Sequence, residues 1–386
     1  MLITPPTSLY IHIPWCVKKC PYCDFNSHEQ RGASQELAYV DALLADLDAD
    51  LEQFPWMRER PIQTVFFGGG TPSLFSIDSI ARILDGARAR LHFVTDCETT
   101  LETNPGTIEH GRFDGYARAG VNRISFGVQS FNDAALKRLG RIHGADEARR
   151  AVAEAQDAGI AEINIDLMYA LPEQHVEQAL SDVEQALLLG PTHLSHYQLT
   201  LEPNTVFAAH PPKLPDDDSA WDMQEQCQAM LASAGFAQYE VSAYASRDHR
   251  CQHNLNYWRF GDYLGIGAGA HAKISNVDGQ RVLRPWKVKN PRAYLDHAAT
   301  PARLGGLSEI TSEQLPFEFM LNVLRLNEGF DIGQFEAMTG LARGQIESQL
   351  THARAQGWLE EIAVEHWRST ELGSRFLNNL IELFLP

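Results

Sequence analysis

Over its first 200 residues the chain alternates short strand-like runs with amphipathic helical stretches, and this alternation narrows the fold more than any other feature. The strand candidates are SLYIHI (8–13), TVFFGG (64–69), ETTLET (98–103), NRISFGV (122–128), AEINIDL (161–167) and HLSHYQL (193–199). Each is rich in β-branched or aromatic residues and is bounded by Gly, Pro or Asn. Helical patterns fill the gaps at 35–54, 76–91, 107–119, 145–158 and 173–189; in ELAYVDALLADLDADL the apolar residues recur three and four apart. Strands that alternate with helices form βα units around a parallel sheet. Six units fall short of the eight of a closed barrel, so the expected class is α/β with a partial (β/α)6 barrel.

The texture then changes. Residues 203–218, PNTVFAAHPPKLPDDD, carry four prolines and an acidic triplet and read as a loop into a helix at 219–234. Strands and glycine-rich turns are expected from FAQYEVSAYA through FGDYLGIGAGAHAKI. From about 305 the pattern is helical (311–327, 331–339, 343–356), ending in a short strand pair near 358–368 and a last helix. The expected division is a barrel over 1–203, a connecting helix and strand-rich segment over 204–304, and a winged-helix-like domain over 305–386. A chain of 386 residues is long enough for more than one core. Residues 303–386 hold 6 Arg and no Lys against 12 Asp and Glu, and the whole chain carries a net charge of −18. Phosphate-backbone binding needs the opposite balance, so no nucleic-acid partner is expected and the wing reads as a structural or docking module. No apolar run reaches the ~18 residues of a membrane span, and the N-terminus lacks the pattern of a signal peptide. The expected location is the cytoplasm.

Three of the six cysteines, Cys16, Cys20 and Cys23, fall within eight residues just past the first strand. A secreted disulfide framework would spread its cysteines along a short chain, so the cluster points to metal or redox chemistry. A [4Fe–4S] cluster takes one thiolate per iron, and three thiolates leave one iron open to a ligand. Zinc held with His12 or His28 is a second reading, and a Cys20–Cys23 redox pair is a third. Polar or glycine signals also stand at every strand end: Gly68-Gly69-Gly70-Thr71-Pro72, Glu102 with Asn104, Gln129, Asp166 and Gln198. In barrels that rim is where sites are built.

The C-x3-C-x2-C spacing, with an aromatic residue between the last two cysteines, resembles the radical S-adenosylmethionine (SAM) superfamily, whose open iron chelates SAM. SLYIHIPWCVKKCPYCDFNSH, FFGGGTPS, NRISFGVQSF, LKRLGRIH and NIDLMYALP resemble its coproporphyrinogen-dehydrogenase-like branch over nearly the whole chain. That resemblance implies a [4Fe–4S] cluster on Cys16, Cys20 and Cys23. It implies SAM contacts at Tyr10, Tyr22, Gly69, Gly70, Thr71, Glu102, Gln129, Arg141 and Asp166, with looser matches at Gln198 and His271. Read alone, Arg141 has a second reading as a solvated cation at a helix end.

One departure separates this chain from the enzymes of that branch. They carry a further cysteine two residues past the third ligand, where Phe25 stands here, and an extension before the barrel. The stretch Cys251-Gln-His253-Asn-Leu-Asn-Tyr257-Trp258 resembles the HNxxYW signature of the haem chaperones related to those enzymes. The resemblance implies haem binding through His253, Tyr257 and Trp258, and transfer to apo-haemoproteins such as respiratory cytochromes. Such acceptors would bring the chain to the periphery of the inner membrane, although no basic amphipathic stretch argues for that contact. Read without the resemblance, the aromatics pack a core and His253 is an interior histidine. The alternative activity is oxidative decarboxylation of coproporphyrinogen III with SAM.

Overall fold

The computed structural model describes residues 1–30, 35–106 and 111–386. Strand β1 (Thr7–Ile13) leads into two short strands, β2 (Trp15–Cys16) and β3 (His28–Glu29), which pair in parallel and pinch off the cysteine loop. The chain then runs through α1 (Glu36–Gln53), β4 (Ile62–Gly69), α2 (Ile77–Arg88), β5 (Phe93–Thr103) and α3 (Phe113–Ala119). Next come β6 (Arg123–Gln129), α4 (Asp133–Arg138), α5 (Ala145–Asp157), β7 (Glu162–Tyr169), α6 (Val176–Leu188) and β8 (His193–Gln198). All six expected strands are present. The helix expected at 107–119 is described from Phe113 on, its first four residues lying outside the described segments. Helix α4 was not expected; the Asn132 side chain caps it by accepting from the Ala134 and Ala135 N–H groups at 3.0 and 3.1 Å.

The segment after β8 supplies α7 (Val206–Ala209), α8 (Asp217–Ser233), β9 (Ala237–Glu240), β10 (Ala243–Ala245), α9 (Gln252–Trp258) and β11 (Asp262–Ile266). Three of these strands complete the barrel sheet, whose order is β11-β1-β4-β5-β6-β7-β8-β10-β9. Strand β11 pairs in parallel with β1 at one edge, while β10 and β9 add antiparallel to β8 at the other. The order has two free ends, so the barrel is open. Its parallel strands alternate: Leu9, Ile11, Val65, Phe67, Ile124, Phe126, Ile163 and Ile165 are buried in the main hydrophobic core, while their neighbours Ser8, Thr64, Ser125 and Asn164 are buried polar residues.

The HNLNYW stretch lies where strands and turns were expected, and it is the helix α9. Its first turn is capped from far away: the Glu98 carboxylate on β5 accepts the N–H groups of Gln252 and His253 at 3.0 and 2.9 Å. No neighbouring residue announces that cap.

Beyond β11, the strands β12 (Ile274–Asn276), β13 (Arg281–Lys287) and β14 (Leu304–Ile310) form an antiparallel sheet, with α10 (Pro291–His297) inserted before β14. It is tied to the barrel by buried charge. Lys287 Nζ contacts Asp46 and Asp50 of α1 at 2.5 and 2.6 Å, Arg303 joins both carboxylates, and the Tyr294 hydroxyl donates to Asp46 at 2.7 Å.

The rest is α11 (Leu315–Val323), β15 (Phe330–Asp331), α12 (Ile332–Thr339), α13 (Glu347–Ala355), β16 (Leu359–Ala363), β17 (His366–Ser369), α14 (Glu371–Arg375) and α15 (Leu377–Glu382). Strands β15, β17 and β16 make the wing. Phe319, Phe330 and Phe335 centre a second hydrophobic core, which also takes in Leu2 and Phe260. The C-terminal unit is thus sutured to the N-terminal segment through Leu2 and to the turn after α9 through Phe260.

Candidate functional site

The site is built where β1 and β4 end. Gly69 has φ +114°, and a Cβ there would fall 2.5 Å from the His12 ring; at Gly70 it would fall 2.5 Å from the Trp15 carbonyl oxygen. Glycine therefore lets the turn after β4 lie directly against the strand that delivers Cys16. The Gly70 and Thr71 N–H groups donate to the Ile13 and Trp15 carbonyls at 2.7 and 2.8 Å, and Gly69 N–H donates to Glu102 at 3.1 Å.

Cys16, Cys20 and Cys23 are free and border one cavity of about 570 Å³. Around the same cavity the structure brings Tyr22, Gly69, Gly70, Thr71, Glu102, Gln129, Arg141, Asp166 and Gln198. Burial pushes the Cys16 thiol up to about 11, with Cys23 and Cys20 adding to the effect. Arg141 is no solvated helix-end cation. It contacts Cys20 Sγ at 3.6 Å, Asn104 Oδ1 at 2.5 Å and the Gly127 carbonyl, and its buried Nε has no partner among the described residues.

The donor set fits a cluster of four irons better than one ion. A cubane gives each thiolate a different iron, so its ligands stand around a volume.

Two acids border the same cavity as the thiols. Burial, with the charge of Asp166 nearby, raises Glu102 to about 8. Burial also raises Asp166, against the hydrogen bonds that hold it: Asn164 Nδ2 donates at 2.7 Å and Ser125 Oγ at 3.3 Å. Two carboxyls enclosed together favour a cationic ligand, which would restore their charge. Gln129 adopts φ 72° where β6 ends, and its Oε1 accepts from the Tyr197 hydroxyl at 2.8 Å. Ser125, Asn164, Ser195 and Tyr197 were missed. Their signal was the alternation along β6, β7 and β8, which turns every second residue into the barrel.

A second cavity, of about 560 Å³, adjoins the first. It takes Tyr10, which was expected with the SAM contacts and which donates to His12 Nδ1 at 2.9 Å. Tyr257, Tyr263, His271, Arg284 and Lys289 also border it. Partial burial, with Lys289 and Arg284 nearby, lowers the His271 imidazole below its usual pKa. Phe25, Gly69, Glu102 and Trp258 border both cavities. Phe25, the residue that replaces a cysteine, is 60% exposed at this partition.

His253 is placed differently from the expectation of a haem ligand. It is buried, stacked on Phe66 at 4.9 Å, with Nδ1 bonded to Thr64 Oγ1 at 2.7 Å and Nε2 to the Tyr257 hydroxyl at 3.0 Å. Burial lowers its pKa to about 3, and it borders neither cavity. With both ring nitrogens engaged, it is an interior histidine in this structure, while Tyr257 and Trp258 do face the cavities.

Among known proteins, the chain is 52% identical over 385 residues, covering 100% of both chains, to the heme chaperone HemW of Escherichia coli. The chain belongs to the HemW family of radical SAM proteins. The HemW of Haemophilus influenzae is 50% identical over 99% of this chain and 98% of its own length. A mouse mitochondrial radical SAM domain-containing protein 1 is 40% identical to this HemW-family chain over 69% of it and 60% of the mouse protein. The Radical SAM superfamily model matches residues 10–184, and the HemN C-terminal domain model matches 310–376. In fold the chain is similar to the coproporphyrinogen III oxidase HemN of E. coli, at a TM-score of 0.82 and 23% identity over 99% of this chain and 90% of that one.

Proposed function

We propose that this chain is a haem chaperone: it holds a [4Fe–4S] cluster with SAM in the thiol cavity, binds haem beside it, and passes haem to apo-haemoproteins such as respiratory cytochromes. The observation that carries this reading is the junction of the two cavities. Three thiols occupy one side, aromatic and cationic side chains the other, and Phe25 and Trp258 stand between them. The naming of the E. coli and H. influenzae relatives supports it.

On this reading Cys16, Cys20 and Cys23 bind three irons, and the cluster supplies an open iron to which the amino and carboxylate groups of SAM can coordinate. Glu102 and Asp166 then accept hydrogen bonds from the cofactor's hydroxyls or offset its positive charge, and Arg141 balances the charge of the thiolates. Phe25 places an apolar ring, not another thiolate, at the boundary with the second cavity. Tyr257 and Trp258 offer aromatic faces to a flat macrocycle. Among the described residues no helix is long and apolar enough to cross a membrane.

The discriminating experiment is anaerobic. Protein reconstituted with iron and sulfide is supplied with reductant, SAM and coproporphyrinogen III, and separately titrated with haem. The expected outcome is a haem spectrum distinct from free haem and no protoporphyrinogen beyond background. Protoporphyrinogen forming at a steady multiple of the protein would establish the decarboxylase instead.

A further inference from the structure

The second cavity holds an imidazole that the rest of the fold does not use. His271 is exposed and makes no hydrogen bond to another described side chain, unlike His12, which bonds Tyr10 and Asn26, and His253, which bonds Thr64 and Tyr257. It is nonetheless held in place. Its backbone bridges to Trp286 of β13, and the two rings lie 6.3 Å apart with planes 20° from parallel. A ring fixed by stacking with its nitrogens free is what an axial metal ligand requires.

The cations of the same cavity differ in availability. Lys273 is spent on Asp262 at 2.8 Å, and Arg284 is clamped between Tyr263 at 2.8 Å and Glu318 at 2.6 Å. Lys289 is exposed, and its amine has no ion pair among the described residues. Aromatic walls, one free imidazole and one free ammonium complement a flat iron macrocycle bearing carboxylates.

Resting on the reading of this chain as a haem-binding protein, we propose that His271 is the axial ligand of the haem iron and that Lys289 pairs with a haem carboxylate. His253 then acts only as a positioning residue, holding the Tyr257 hydroxyl through Nε2. The macrocycle lies in the second cavity with Trp258 and Phe25 between it and the thiols.

The test is a titration of the full chain with ferric haem and with iron-free protoporphyrin IX, read by Soret absorbance and tryptophan fluorescence. His271→Ala should abolish the wild-type haem spectrum and weaken haem binding by roughly 10-fold or more, at least what loss of a metal ligand's hydrogen-bond partner costs. It should leave protoporphyrin IX binding nearly unchanged, and added imidazole should restore the spectrum. His253→Gln, which keeps hydrogen-bonding groups at that site, should retain the wild-type spectrum. Lys289→Glu should weaken both porphyrins but not the dimethyl ester of haem. A His271→Ala protein with wild-type spectrum and affinity overturns the assignment while leaving haem binding intact. A wild-type chain that gives no haem spectrum overturns the haem reading itself.

Discussion

Glu102 shows how far a single residue can report on a ligand. Its carboxyl sits in the thiol cavity, accepts a hydrogen bond from Gly69 N–H at 3.1 Å, and is raised by burial to about 8. Because the folded value lies above the ordinary one of 4.5, the folded state binds the extra proton between the two. Its contribution to stability is therefore full below the ordinary value and is lost as pH rises through about 8. Thermal melts of the unliganded protein from pH 5 to 8.5 should show this decline, and Glu102→Gln should flatten it; equal slopes in the two proteins would refute the assignment. A cationic ligand should reverse the preference. SAM binding at pH 7 should release a proton, visible in calorimetry as a dependence of the heat on the buffer's ionisation enthalpy. The rim glycines and acids were legible in the sequence because each followed a strand with a clear pattern. For His253 the residues alone offered an interior histidine and the resemblance a haem ligand; what holds the ring in the interior is Thr64, 189 residues away, which no local pattern announces.

At the scale of elements, α1 teaches the same lesson through charge. Its apolar repeat identified the helix, yet Asp46 and Asp50 are also buried on its inner side. Nothing local allows that. The compensating cations, Lys287 and Arg303, come from the sheet segment more than 230 residues later. Lys287→Met should leave buried carboxylates short of a partner and cost about 3–5 kcal/mol in denaturant unfolding. A loss under about 1 kcal/mol, the range of exposed ion pairs, would mean that Arg303 and Tyr294 alone compensate the two buried carboxylates. Helix α9 was misread for a related reason. Its cap is Glu98 on β5, so the sequence around Cys251 carries no start signal and its aromatics resemble those of a strand.

For the whole molecule, strand-helix alternation was enough to name the partial barrel and its six units. It did not reveal that β11 and the β9–β10 hairpin, from the segment after residue 204, would cover both edges of the sheet. Edge pairing leaves little trace in a short strand's own residues, because the partner supplies half of the reason for it. The placement matters for function. Strand β11 carries the chain into the loop that bears His271, and α9 just before it carries Tyr257 and Trp258, so the segment that closes the sheet also walls the second cavity. The C-terminal unit packs its own core around Phe260 from the turn between those two elements. Barrel, connecting segment and helix α11 of the C-terminal unit therefore meet at the second cavity, which Leu321 and Asn322 also border.

That convergence is the basis for reading the chain as a carrier of haem, and transfer is its most direct test. Reconstituted protein is loaded with one equivalent of haem, freed of excess, and mixed with an apo-cytochrome of the respiratory type under anaerobic conditions. The Soret band should move from the position of the loaded chain to that of the holo-cytochrome, at a rate set by the acceptor and faster than from an inert haem carrier such as albumin. Haem that stays on the chain, or that moves no faster than from albumin, would contradict the account.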